Sequence, residues 1–182
     1  MKNETYKTLF KMHDTYEAYV NETEKIIRTI VSQLNYTLAL LNSDDDMNAF
    51  ARDYLERIIK EISDNHEKTY TRARNIIAKH QTRLDSIYRK NLHKISPEEL
   101  EQMMFKHAFK QYESFSDIDS FILNICTDVY SLKNEFGKIF DLEPISKTER
   151  ECHNLRDVMK DNLTYLNSLQ IKANVYKRNQ PR

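Results

Sequence analysis

The chain has 182 residues with 28 basic and 28 acidic side chains, one glycine, Gly137, and three prolines, Pro97, Pro144 and Pro181. Balanced charge removes the overall field that draws a protein to nucleic acid or an anionic bilayer, and so little glycine and proline leaves no turn chemistry for a many-stranded sheet. No apolar run approaches the roughly twenty residues of a membrane span, and the first residues lack the apolar centre of a signal peptide; the expectation is a soluble, all-α single domain over residues 1–182.

The first helix is expected over about residues 3–41. Its apolar stripe, Leu9, Met12, Tyr16, Tyr19, Val20, Thr23, Ile27, Ile30, Leu34 and Leu38, keeps close to a heptad and calls for a long partner. Asn42, Ser43, Asp44, Asp45 and Asp46 then supply a stop and the acidic first turn of the next helix. That second helix, about 45–95, carries Met47, Phe50, Leu55, Ile58, Ile62, Ala73, Ile76, Leu84, Ile87 and Leu92 at alternating spacings of three and four. Its seam turns polar in the middle, at His66, Thr69 and Tyr70, and again at His80. So short a connection makes the two helices antiparallel neighbours.

Ser96-Pro97-Glu98-Glu99 is a helix start: an N-cap serine, proline at the first helical position, and a glutamate three residues on. The third helix is expected over 97–140, with Ser114-Phe115-Ser116-Asp117 a candidate kink because serine and aspartate compete for backbone groups. A turn at 141–145 containing Pro144 leads to Ser146-Lys147-Thr148-Glu149, a second capping pattern, and to a last helix over 147–176. Four long helices and three short turns predict an up-down-up-down four-helix bundle with both termini at one end.

Folding the first pair about a turn near residue 44 sets Thr23 level with His66, Tyr19 with Tyr70 and Tyr16 with Ala73. The polar seam is then a layer of the bundle. Tyr16, Tyr19, His66 and Tyr70 could line a pocket for a small polar or anionic ligand, with Arg74 on the flank to clamp a carboxylate. The alternative is a hydrogen-bonded layer that fixes register, in a helical adaptor whose outer face binds a partner protein.

Other chemistry finds no carrier. A di-iron bundle needs Glu-x-x-His, but the residues three before the six histidines are Phe10, Ser63, Ile77, Lys90, Met104 and Arg150. Cys152 and His153 are adjacent, hence about 100° apart on a helix and poor joint ligands. There is neither a Gly-x-Ser-x-Gly elbow nor a glycine-rich phosphate loop. No enzymatic activity, cofactor or metal is expected, and Cys126 and Cys152 are read as reduced core residues. The basic run Arg72, Arg74, Lys79, Arg83, Arg89, Lys90 and Lys94 reads as a solvated face, so no nucleic-acid partner is expected. The sequons at Asn3, Asn21, Asn35 and Asn162 read as chance matches in an asparagine-rich chain.

With its helix number and lengths, and the long segment from Arg72 through Ile76, Ile77, His80 and Leu84 to Tyr88, the chain resembles the four-helix-bundle extracytoplasmic sensor domains of bacterial transmembrane receptors such as chemoreceptors. The resemblance implies ligand binding between helices, a small helix displacement as output, and membrane spans at both ends; a homodimer is a separate expectation, from the length of the bundle. Those spans would lie outside this chain, which would then be a piece of a longer receptor; otherwise a cytoplasmic protein is expected.

Overall fold

A computed structural model describes residues 2–41, 46–89, 94–137 and 142–180. The protein is all-α. Its elements are α1 (Lys2–Leu40), α2 (Asp46–Arg89), α3 (Pro97–Phe136), α4 (Leu142–Asp161) and α5 (Leu163–Arg178). The expected turn at 42–45, the Leu92 end of the second helix and the Phe140 end of the third lie outside the described residues, as does the side chain of Met47.

Local chemistry accounts for the boundaries. Ser96 caps α3 as its sequence foretells, its Oγ accepting the Glu99 N–H at 3.0 Å. At the other end of α3, the Gly137 N–H still donates to the Lys133 carbonyl at 2.9 Å. A Cβ at Gly137 would collide with that same carbonyl oxygen. Ser114 to Asp117 do not break α3, which runs through them as helix. The side chains of Ser114 and Asp117 have tertiary partners, in Tyr16 and Arg72.

Two expectations about the last part of the chain are corrected. Pro144 lies within the first turn of α4 rather than in a turn before it, which is tolerated because a first-turn N–H has no intrahelical acceptor to lose. Thr148 is accordingly inside the helix, its hydroxyl donating to the Pro144 carbonyl at 3.0 Å. The expected single rod over 147–176 is two helices, so the described residues form five helices where four were expected. Asn162 separates them with φ −90° and ψ −1°, off the helical well, although its carbonyl still accepts the Leu166 N–H at 2.9 Å. Asparagine favours such a break because its amide competes with the backbone for hydrogen bonds.

The helices contribute to two compact units. Unit 1 comprises residues 1–21, 70–117 and 161–182; unit 2 comprises 22–69 and 118–160. In unit 1, Met12 meets Gln111 and Tyr16 meets Ser114, so α1 and α3 run parallel. Arg72 meets Asp117 while His80 meets His107, so α2 runs antiparallel to α3. Phe109 meets Tyr176 and Phe115 meets Tyr165, which makes α5 antiparallel to α3 as well. In unit 2, Cys126 meets Cys152 and Lys133 meets Glu149, again an antiparallel pair, here α3 and α4.

Candidate functional site

The predicted ligand layer divides between the units. Tyr16, Tyr19, Tyr70 and Arg74 belong to unit 1 and His66 to unit 2.

Within unit 1 the three tyrosines are core. Tyr16 and Tyr70 are 0% exposed and Tyr19 2%. Helical spacing aims all three inward, since Tyr16 and Tyr19 share the apolar stripe of α1 with Leu9, Met12 and Val20. Phe115 of α3 fills the space between them: its ring lies 5.2 Å from that of Tyr16, edge to face, and 4.3 Å from that of Tyr19. The Tyr16 hydroxyl donates to Ser114 Oγ at 2.6 Å. Burial pushes that phenol up to about 12, against the opposing effect of the Ser114 bond, so it stays protonated and keeps its donor.

A second polar knot lies beside the first. Gln111 of α3 donates its amide N–H to the Met12 carbonyl at 3.2 Å, and the Tyr165 hydroxyl of α5 reaches the Met12 carbonyl at 3.1 Å and Gln111 Oε1 at 3.2 Å. Burial raises the Tyr165 phenol too. These bonds join α1, α3 and α5. Sequence reasoning found the tyrosines of α1 and α2 but missed Gln111, Ser114 and Tyr165. Helical spacing from buried Ala108 and Ile118 on α3, and from Leu169 on α5, is the signal that could have placed them inward; nothing in the sequence marks them as partners of Tyr16 and Met12.

Arg74 is exposed. Arg72, on the same stretch of α2, pairs with Asp117 and lies 3.7 Å from Glu113. Its carboxylates are thus the protein's own. In unit 2, half-buried His66 faces Glu24, with Nε2 3.4 Å from Oε1. Glu24 is 8% exposed and also accepts from Arg28 at 2.9 Å. The expected level match of Thr23 with His66 was therefore one residue from the observed neighbour.

Unit 2 also holds the two cysteines, both free and buried. Cys126 Sγ lies 3.7 Å from the Cys152 carbonyl oxygen, and the contact between the two side chains together with burial raises the Cys152 thiol. Among the described residues no group of three or more His, Cys, Asp or Glu is placed to hold a metal ion, and no helix is long and apolar enough to cross a membrane.

An open concavity lies elsewhere in unit 1, where the start of α3 faces the end of α5. A groove of about 660 Å³ is lined by acidic Glu98, Glu99 and Glu101, basic Arg83 and Lys106, and apolar Met103, Phe105, Val175 and Tyr176. Exposed apolar side chains continue along α5, with Leu163 at 52%, Ile171 at 66% and Val175 at 37%. Their spacings of eight and four place them on one face of that helix.

No family model, curated protein or solved structure matches the chain.

Proposed function

We propose that the chain is a non-enzymatic helical interaction module, an up-down-up-down bundle in which α4 and α5 share the fourth rod, and that its partner is a protein bound on the outer surface of unit 1. One observation carries the reading. The tyrosine layer that could have been a ligand pocket is packed shut: Tyr16, Tyr19 and Tyr70 are at most 2% exposed, and the Tyr16 hydroxyl is already bonded to Ser114. Buried polar groups satisfied within the protein fix helix register. A sensor of the kind that the receptor resemblance implies would have to break those bonds to admit a ligand.

The docking face is the groove between α3 and α5 together with the apolar stripe Leu163, Ile171 and Val175. Its chemistry favours a segment with an apolar anchor, seated against Met103, Phe105 and Val175, and flanked by lysine or arginine for Glu98, Glu99 and Glu101.

Selection of a displayed random-peptide library on the purified protein tests this. Enriched peptides should combine an apolar anchor with basic flanks. They should lose at least tenfold in affinity for Val175→Lys, at a half-exposed position where the substitution leaves stability within about 0.5 kcal/mol. Peptides that bind wild type and Val175→Lys alike, or no enrichment at all, would remove the groove from the account. Stabilisation by small polar compounds that depends on Tyr16 would restore the sensor reading.

A further inference from the structure

Unit 1 buries three histidines that the docking face does not use, one from each of three helices. His13 of α1, His80 of α2 and His107 of α3 are 3%, 3% and 6% exposed. Their rings are in contact: His13 meets His80 edge to face at 5.2 Å between ring centres, and His80 lies directly against His107. His13 Nδ1, His80 Nδ1 and His107 Nε2 are buried with no hydrogen-bond partner. The space beside them, walled by Leu9, Leu84, Ile87 and Met103, has no room for a water molecule.

Polar atoms buried in this way cost folding free energy. Aliphatic side chains would fill the same volume without that cost. A proton is the ligand that such a cluster can still take up, and the surroundings oppose it. Burial is the larger cause and neighbouring positive charge the smaller: His80 faces His107, His13 and Arg83, and His107 faces Arg83 and His13. Together they push His80 down to about 2 and His107 down to about 3. Glu17 on α1 brings a carboxylate to 3.6 Å from His13 Nε2, with its side chain 46% exposed.

We propose that His13, His80 and His107 form an acid-sensitive latch, which as neutral packed rings holds α1, α2 and α3 together in unit 1 and which protonation releases. Both depressed groups lie below the ordinary histidine value of about 6.5, so the opened form binds protons first. The latch is therefore whole above about pH 6.5 and weakens as pH falls toward about 3. Between pH 7.5 and 5.5, two such imidazoles raise the opening constant about a hundredfold.

Amide hydrogen exchange of the full chain at those two pH values, corrected for the intrinsic pH dependence of exchange, reads the opening directly. Amides of α3 around His107 should open about a hundredfold more at pH 5.5, and those of 122–132 in unit 2 should change much less. In the double variant His80→Gln, His107→Gln the pH dependence in unit 1 should vanish. Equal dependence in wild type and variant overturns the latch. Should the variant not fold, imidazole NMR of the wild type decides: His80 and His107 should keep neutral-ring shifts down to pH 5, and titration near 6.5 in the folded protein overturns the proposal. Stabilisation of wild type but not variant by Zn²⁺ at pH 7.5 would overturn it as well, making the cluster a metal site.

Discussion

Unit 2 is filled mainly by aliphatic side chains, among them Ile27, Ile30, Leu34, Leu55, Ile58, Ile62, Ile122, Ile125 and Leu132, whereas unit 1 buries Tyr16, Tyr19, Tyr70 and Phe115 with His13, His80, His107, Gln111 and Ser114. Both are built from the same three long helices and one short one. They differ in what sets the register. Aliphatic ridges and grooves accept several neighbouring registers at similar cost. A hydroxyl that must meet Ser114, or an amide that must meet the Met12 carbonyl, accepts one. Polar residues in unit 1 thus contribute specificity where they are paired, as at Tyr16, and sensitivity to protons where they are not, as at His80.

The comparison can be broken most forcefully by truncation. Phe115→Ala empties the space between Tyr16 and Tyr19 and should cost about 3–5 kcal/mol in urea unfolding. Leu132→Ala, equally buried in unit 2, should cost about 2–5 kcal/mol. The two should differ in kind. Phe115→Ala should also broaden the NMR resonances of Tyr16 and Tyr19, since it frees two rings that carry the polar layer, and Leu132→Ala should leave them sharp. Equal broadening in both variants would remove the distinction between the units.

Smaller changes sharpen it. Ser96→Ala removes the cap on the Glu99 N–H and should lower stability by about 1 kcal/mol, read as a lower urea midpoint at an unchanged slope. Lys133→Ala breaks the 2.6 Å ion pair with Glu149 in unit 2. Because the lysine side chain is 41% exposed, the loss should be no more than about 1 kcal/mol, and it should shrink as salt is added. An appreciably larger, salt-insensitive loss would mean that charge holds unit 2 together in a way its aliphatic core does not suggest.

Much of this was legible before any coordinates. Helical spacing identified Leu9, Met12, Tyr16, Val20, Ile27, Leu55 and Ile62 as core, and burial agrees, whereas Phe50, placed on the same stripe as Leu55 and Ile62, is 62% exposed. Ser96 was readable because a cap is a local device, fixed by residues three apart. The break at Asn162 was not, because one asparagine in a helical pattern is compatible with a continuous rod. Pro144 was placed in a turn because Ser146-Lys147-Thr148-Glu149 has the pattern of a capping box, which would start the helix only after it. The histidine cluster was hidden by a register error. A fold point near residue 44 sets His13 level with residue 75, and its observed neighbour is His80. Loop span and helix stagger shift such pairings by a turn or more, and a turn decides which side chains touch. Partnership is a long-range property: Tyr16 and Ser114 are 98 residues apart in the chain.

The claim on which the rest depends is that the tyrosine layer is filled and structural. Thermal unfolding of wild type and Tyr16→Phe, each alone and with amino acids, organic acids, amines and nucleotides, tests it most directly. Loss of the bond to Ser114 should cost about 1 kcal/mol and lower the melting temperature by about 2–4 °C, by the same amount in every condition, with no compound stabilising the wild type. A compound that stabilises the wild type by about 2.7 kcal/mol at a hundred times its dissociation constant, and has no effect on Tyr16→Phe, would contradict the account and make the layer a binding site.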